Sequence, residues 1–194
     1  MLTLVVAVVL LALPIIGGML LIASGSLTLD TGCGRRTRAL GPQLVRIAAP
    51  RQLVFEMVAA PYGIDPPRAF REKIEVLDRG RDMVLAAHRT KVGRLTTATV
   101  ETITFAPPER IGFRLVRGPV PFVVEPFVLR DLAGGTLTEL EYTGKLGTDG
   151  WAVGAAWGAR VAHRWEDVVA RSLAEVKSAA EDVAALKSDT RAIP

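Results

Sequence analysis

Two side chains in this sequence have the chemistry to handle protons inside a β-rich body, His88 and Tyr142. His88 alternates with Val84 and Ala86, opposite Arg89 and Lys91. If the two cations face water, the imidazole points inward, where it would donate to or titrate against a polar group of a ligand. A core histidine satisfied by its neighbours is the plainer reading, and general burial behaviour favours it. Tyr142 alternates with Leu140, which sends its ring inside and leaves its hydroxyl in need of a partner. Cavity lining and plain core packing are equally served by that placement. Glu139 and Glu141 are paired carboxylates, the type that does acid–base work. They lie opposite the apolar side of their segment, so they read as a solvated sheet face.

Gly150, Gly154 and Gly158 recur every four residues beside Trp157, Val161 and Trp165. On a helix this spacing clears volume along one face, either for a ligand or for close approach of a neighbouring element. Close packing is the simpler account, since glycine costs a helix about 1 kcal/mol and is kept where backbones meet. Gly154, Trp157, Val161 and Trp165 join His88 and Tyr142 as candidate cavity-lining residues. His163 falls on the other side of the same helix and should be exposed.

The single cysteine, Cys33, excludes an internal disulfide framework and a cysteine-rich zinc site, and two histidines make a His-based metal centre unexpected. There is no Gly-rich phosphate loop, no nucleophile elbow and no aromatic–basic interleaving. No metal, cofactor or nucleic acid is therefore expected. No catalytic residue is assigned.

These side chains need elements to place them. Val45 and Ile47 mark a short strand, and Pro50 suits the first turn of a helix through Val58. Pro61, Gly63, Pro66 and Pro67 bend the chain. The period then becomes two, with strands about Ile74–Val76, Val84–Lys91, Leu95–Phe105, Ile111–Leu115, Phe122–Arg130 and Thr138–Thr143. Pro126 suggests an edge position or a bulge. A long helix extends from about Gly150 to Leu186, capped by Thr148 or Asp149. Its apolar stripe is Gly150, Gly154, Trp157, Val161, Trp165, Val168, Ser172, Val176, Ala180 and Val183.

The front of the chain is a different object. No Asp, Glu, Lys, Arg or His precedes Asp30, and 19 of the first 23 residues are Ala, Val, Ile, Leu or Met. A helix of that length reaches about 35 Å, enough for a hydrocarbon core of roughly 30 Å. A cleaved signal peptide would carry a basic start and a shorter apolar run, although Ala23-Ser24-Gly25 resembles a cleavage site. A transmembrane anchor over 1–29 is the expectation, with a linker over 30–42, a folded domain over 43–187 and a tail over 188–194. Arg35, Arg36, Arg38 and Arg46 come after the span and no cation precedes it, which puts the domain on the cytoplasmic side of the cell membrane. The same arginines suit anionic headgroups.

Ile47-Ala48-Ala49-Pro50-Arg51-Gln52-Leu53-Val54-Phe55 stands at the first strand–helix junction, followed by Pro107-Pro108-Glu109-Arg110-Ile111, Gly134-Gly135-Thr136 and the final helix with Trp165 and Leu173. With the order of elements, these motifs resemble the START-like, helix-grip superfamily, also called SRPBCC, and within it the polyketide cyclase/dehydrase and lipid-transport group. The resemblance implies an α+β fold in which a curved antiparallel sheet grips a long C-terminal helix around an apolar cavity, here preceded by one transmembrane helix. It also implies a hydrophobic, lipid- or polyketide-like small molecule as partner, bound and carried beside the membrane. A cyclase or dehydratase acting in the same cavity is the alternative, and a membrane-bound protein-interaction module a third.

Overall fold

The computed structural model describes residues 1–150 and 154–191, with the backbone alone at 2–5, 7–9 and 189–191. A helix α1 (Leu2–Ala23) leads into β1 (Arg36–Ile47), α2 (Arg51–Ala59) and a 3-10 turn at Ala60–Tyr62. A single helical turn α3 (Arg68–Arg71) precedes β2 (Ile74–Arg79), β3 (Met83–Val92), β4 (Leu95–Ala106), β5 (Arg110–Arg117), β6 (Phe122–Leu132) and β7 (Leu137–Thr148). The chain ends on α4 (Gly154–Arg191). The seven strands form one antiparallel sheet in the order β1-β7-β6-β5-β4-β3-β2. The first strand closes onto the last, and consecutive hairpins fill the rest, as short turns between alternating segments require.

The inner face of the sheet is the apolar half of each alternation. Ala86 of β3, Ile103 of β4, Ile111 of β5, Leu129 of β6 and Leu140 of β7 are fully buried or nearly so. α4 lies over β1 and β7 and packs beside α2, which contributes Leu53, Val54 and Phe55 to the same core. Pro50 immediately precedes α2 in an extended conformation and starts it without a side-chain cap.

Four expectations change. β1 begins at Arg36, inside the stretch read as linker, and pairs with β7 from Arg36↔Thr148 onward. Gly41-Pro42 hid it, because the ladder absorbs those residues as an irregularity between Leu40 and Gln43. Pro126 sits in a central strand. It pairs with Gly112 on β5, and the ladder to β7 lapses between Val124 and Phe127, on the side where proline has no N–H to give. The buried stripe of α4 runs through Val169 and Leu173, while Ser172 is exposed, because a true helical period drifts past the chosen positions. α4 also continues to Arg191, past its expected end. The expected start at Gly150 and the expected caps are not used as such: Thr148 closes β7, the Asp149 carboxylate accepts from Thr31 and Arg35, and Gly150 is a bend, while residues 151–153 lie outside the described ones.

α1 occupies the stretch expected to be helical and carries no charged residue in its first or last turn. Among the described residues no helix is long and apolar enough to cross a membrane. The anchor expectation rests on the sequence. The segment leaving α1 is fixed to the body. The Thr97 hydroxyl donates to Ala23 O at 3.0 Å and Ala98 N–H donates to Ser24 O at 2.8 Å. Thr28 Oγ1 donates to Gly118 O at 2.7 Å and accepts from Gly118 N–H at 2.8 Å. Gly25 has a positive φ, and a Cβ there would overlap the Ala98 carbonyl.

Candidate functional site

The six candidate residues lie on or over the inner face. Tyr142 is wholly buried on β7, and His88 on β3 keeps 15% of its side chain exposed. Gly154 and Val161 are buried on α4, and Trp157 and Trp165 are half-buried. His163 is exposed, as the helix geometry predicts. Gly158 packs tightly, since a Cβ there would stand 2.8 Å from the Thr148 side chain, so at this position the glycine spacing serves helix–sheet approach. Trp157 packs against the core, and its Nε1–H donates to Pro119 O at 2.7 Å.

Between these positions the apolar interior carries a buried polar cluster, which the expected apolar hollow did not include. Two glutamates are buried there, Glu101 on β4 and Glu125 on β6. Both occupy inward positions of their strands. Glu101 alternates with Thr99 and Ile103, and Glu125 with Val123 and Phe127. His88 Nδ1 lies 3.2 Å from Glu101 Oε2, and the Thr99 hydroxyl donates to Glu101 Oε1 at 2.7 Å. The other imidazole nitrogen, Nε2, lies 3.2 Å from the Tyr62 hydroxyl. On the far side, Tyr142 donates to Glu125 Oε2 at 2.8 Å and Trp165 Nε1–H donates to the same oxygen at 2.7 Å. No other hydrogen bond to Glu125 is made among the described residues. A chain of rings runs between the two halves, with centroids 6.1 Å apart for Tyr62–Phe113, 5.3 Å for Phe113–Phe127 and 5.5 Å for Phe127–Tyr142.

The two carboxyls titrate in opposite directions. Burial alone would raise Glu101, but the charge and hydrogen bond of His88, with help from Thr99, hold it below the usual carboxylate value. Burial alone would depress His88, and the Glu101 carboxylate more than reverses that, so the imidazole is raised and its charged form is favoured. Glu125 has no cation of its own. Burial, then the nearby Glu101 charge, push it up to about 8, against the opposing hydrogen bonds from Tyr142 and Trp165. Tyr62 and Tyr142 are both raised, by burial first and then by the carboxylates around them. The interior thus pairs His88 with Glu101, each shifted toward its charged form, and across the rings holds Glu125 as a neutral acid at neutral pH.

Sequence reasoning singled out His88 and Tyr142 but not their partners. The missed signal was strand parity. An acid at an inward position is costly unless paired, so Glu101 and Glu125 were the informative residues. Tyr62 lay in a connection with no period to read. Among the described residues no cluster of His, Cys, Asp and Glu has the arrangement to hold a metal ion. A separate cavity of about 380 Å³ opens at the β2 edge, lined by Pro61, Ile64, Ile74, Val76 and Arg79 among others.

No family model and no curated protein matches the sequence. Solved structures do. Zhui aromatase/cyclase from Streptomyces sp. R1128 superposes with a TM-score of 0.62 at 21% identity, over 76% of this chain and 94% of that one. A truncated norcoclaurine synthase from Thalictrum flavum gives 0.59 at 10% identity, over 77% and 96%. The di-domain aromatase/cyclase BexL gives 0.54 at 17% identity, over 77% of this chain and 50% of that one. At these identities the likeness is one of fold. The chain shares with them a helix-grip architecture, a seven-stranded antiparallel sheet with a long C-terminal helix across it.

Proposed function

We propose that the domain binds a small, mostly apolar molecule carrying a hydrogen-bond-accepting oxygen, between α4 and the inner face of the sheet, close to a membrane to which α1 tethers it. One observation carries this reading. Glu125 is 6% exposed, sits within a wall of aromatic rings and has both observed donors on Oε2. Its Oε1 makes no hydrogen bond among the described residues. A neutral acid in that setting offers a proton to a ligand carbonyl or hydroxyl oxygen. The rings and aliphatic chains around it supply burial at roughly 25 cal/mol per Å². The tether to the cytoplasmic face rests on the charge-free leader and the arginines after it, and it would raise the effective concentration of a membrane-soluble ligand.

A second reading, proton transfer in a cyclase-type reaction, is favoured by a different feature. The same interior holds a His88–Glu101 pair shifted toward its charged form and a Glu125 pushed up to about 8, and titratable groups with environments that drive their pKa values apart are the usual acid–base arrangement. The neighbours named aromatase/cyclase support it as analogy.

The test of binding is native mass spectrometry of the full chain released from lipid nanodiscs, with extraction of retained small molecules. A stoichiometric apolar compound is expected. An empty interior, together with no rise in Tm on adding aromatic ketones or fatty acids, overturns the proposal. For the second reading, deuterium uptake at the carbon next to a ketone in an added polyketone analogue should be catalysed by the native chain. It should be lost in Glu125→Gln while binding is kept.

A further inference from the structure

We infer that the end of the domain beside α1 is a docking face for an anionic lipid surface, so that the body rests on the bilayer in one orientation instead of swinging from its anchor. The inference rests on the membrane-tether reading above and goes beyond it, because a tether alone fixes no orientation.

The connection from α1 to β1 is not free. After the bonds to Ala98 and Gly118, the Thr31 backbone N–H and hydroxyl both donate to Asp149 Oδ2, the hydroxyl at 2.8 Å. Arg35 grips Asp149 Oδ1 from Nε at 3.2 Å and from its guanidinium end at 3.1 Å, and it also meets Asp30. Gly150 N–H donates to Cys33 O at 3.0 Å. Residues 24–35 are thereby stapled across one end of the sheet, from β4 past the β5–β6 loop to the exit of β7. That end carries the starts of β1, β4 and β6 and the finishes of β3, β5 and β7.

Charge divides along the same axis. At the α1 end, Arg36, Arg38, Lys91, Arg94 and Arg117 are exposed and make no ion pair among the described residues. The two acids of the staple, Asp30 and Asp149, are already committed to Arg35. At the opposite end Arg81 and Arg110 are also exposed without an ion pair among the described residues, but acids are interspersed there, with Arg46 on Glu139, Arg51 on Asp131 and Arg130 on Glu141, and with Asp78, Asp82 and Glu109 in the adjoining strand ends and turns. Exposed apolar side chains accompany the free cations, namely Leu27 and Leu29 in the staple and Val116 beside Arg117. Unpaired cations interleaved with exposed aliphatics suit an anionic headgroup layer above acyl chains. Each cation removed should lower the docked population about fivefold.

The full chain is reconstituted in phosphatidylcholine vesicles with and without phosphatidylglycerol. In a Cys33→Ser background, a fluorophore is placed at Thr96→Cys, next to the β3–β4 turn, or at Thr136→Cys at the far end, with a quencher on lipid headgroups. Quenching at position 96 should exceed that at 136 by about twofold or more, only with the anionic lipid present. The difference should vanish in the triple variant Lys91→Gln, Arg94→Gln, Arg117→Gln. Equal quenching at the two sites, or a difference indifferent to lipid charge and to those three cations, overturns the docking face. Flotation with the vesicles is scored separately. A chain that floats without the asymmetry defeats the docking face alone, and a chain that does not float defeats the tether and the docking face together.

Discussion

Replacing Glu125 by glutamine should flatten the pH dependence of stability on the mildly acidic side of neutrality. In the folded chain the Glu125 carboxyl keeps its proton until about pH 8, and in the unfolded chain it gives it up near 4.5. Between these values the folded state holds one extra proton, so stability falls as pH rises, by about 1.4 kcal/mol per pH unit. His88 adds to the fall only at higher pH. Its folded pKa is raised above 6.5, so its contribution is complete below 6.5 and is lost as pH climbs through the folded value. Glu101 is held low, so its contribution is present above 4.5 and is lost as pH drops through its folded value. The interval from about pH 5.5 to 6.5 therefore isolates Glu125 within this cluster, and the native chain should lose about 1.4 kcal/mol across it relative to Glu125→Gln. Glutamine keeps an oxygen for Tyr142 and Trp165 and an N–H where the acid has its proton, but it cannot ionise. Urea unfolding of the full chain in detergent, followed by tryptophan fluorescence, measures both curves. Parallel curves across the interval would refute a protonated Glu125 and with it the carbonyl-binding reading.

Gly158→Ala should lower stability by about 1–3 kcal/mol through the clash with Thr148, in spite of the better helix propensity of alanine. A rise in Tm would show that the glycine clears usable space instead. Gly25→Ala cannot keep both its positive φ and its contact with Ala98. It should free residues 24–35 to limited proteolysis while the thermal transition of the body stays where it is. Asp149→Asn should loosen the same staple at neutral pH. In the native chain Asp149 is held below its usual value, against its burial, by the Thr31 bonds and by Arg35. Protease sensitivity of the staple should therefore appear only as pH falls through that lowered value.

The sheet was legible because its strands alternate cleanly. His88, Leu140 and Tyr142 are on the face that parity assigned them. The first half of β1 was not legible. Arg36–Pro42 has no apolar period, and it is strand only because β7 offers a ladder to Arg36–Leu40, a long-range fact that local pattern does not contain. The staple was hidden for a related reason. Thr28, Thr31 and Asp149 look like turn residues until partners distant in sequence meet. At the candidate site the two aromatic–imidazole positions could be read, but the acids were passed over. A glutamate in a strand usually signals the wet face, and only the parity of Ile103 and Phe127 contradicts that for Glu101 and Glu125.

The cluster is best understood as one charge setting two neighbours. Glu101 stabilises the protonated forms of both His88, which it pairs, and Glu125, which it repels from ionising. Removing that charge with Glu101→Gln should move both pKa values down together. His88 would lose the interaction that outweighs its burial and fall, and Glu125 would fall from about 8 toward the value burial alone imposes. A cation left buried without its partner should also cost about 3–5 kcal/mol at low pH. The imidazole proton resonances of His88, tracked by NMR against pH, read the first effect directly. If His88 titrates unchanged in Glu101→Gln, the ion pair does not govern the interior. The neutral acid at Glu125 would then owe its proton to burial among the aromatic rings alone, and the coupling between the two halves of the site would be absent.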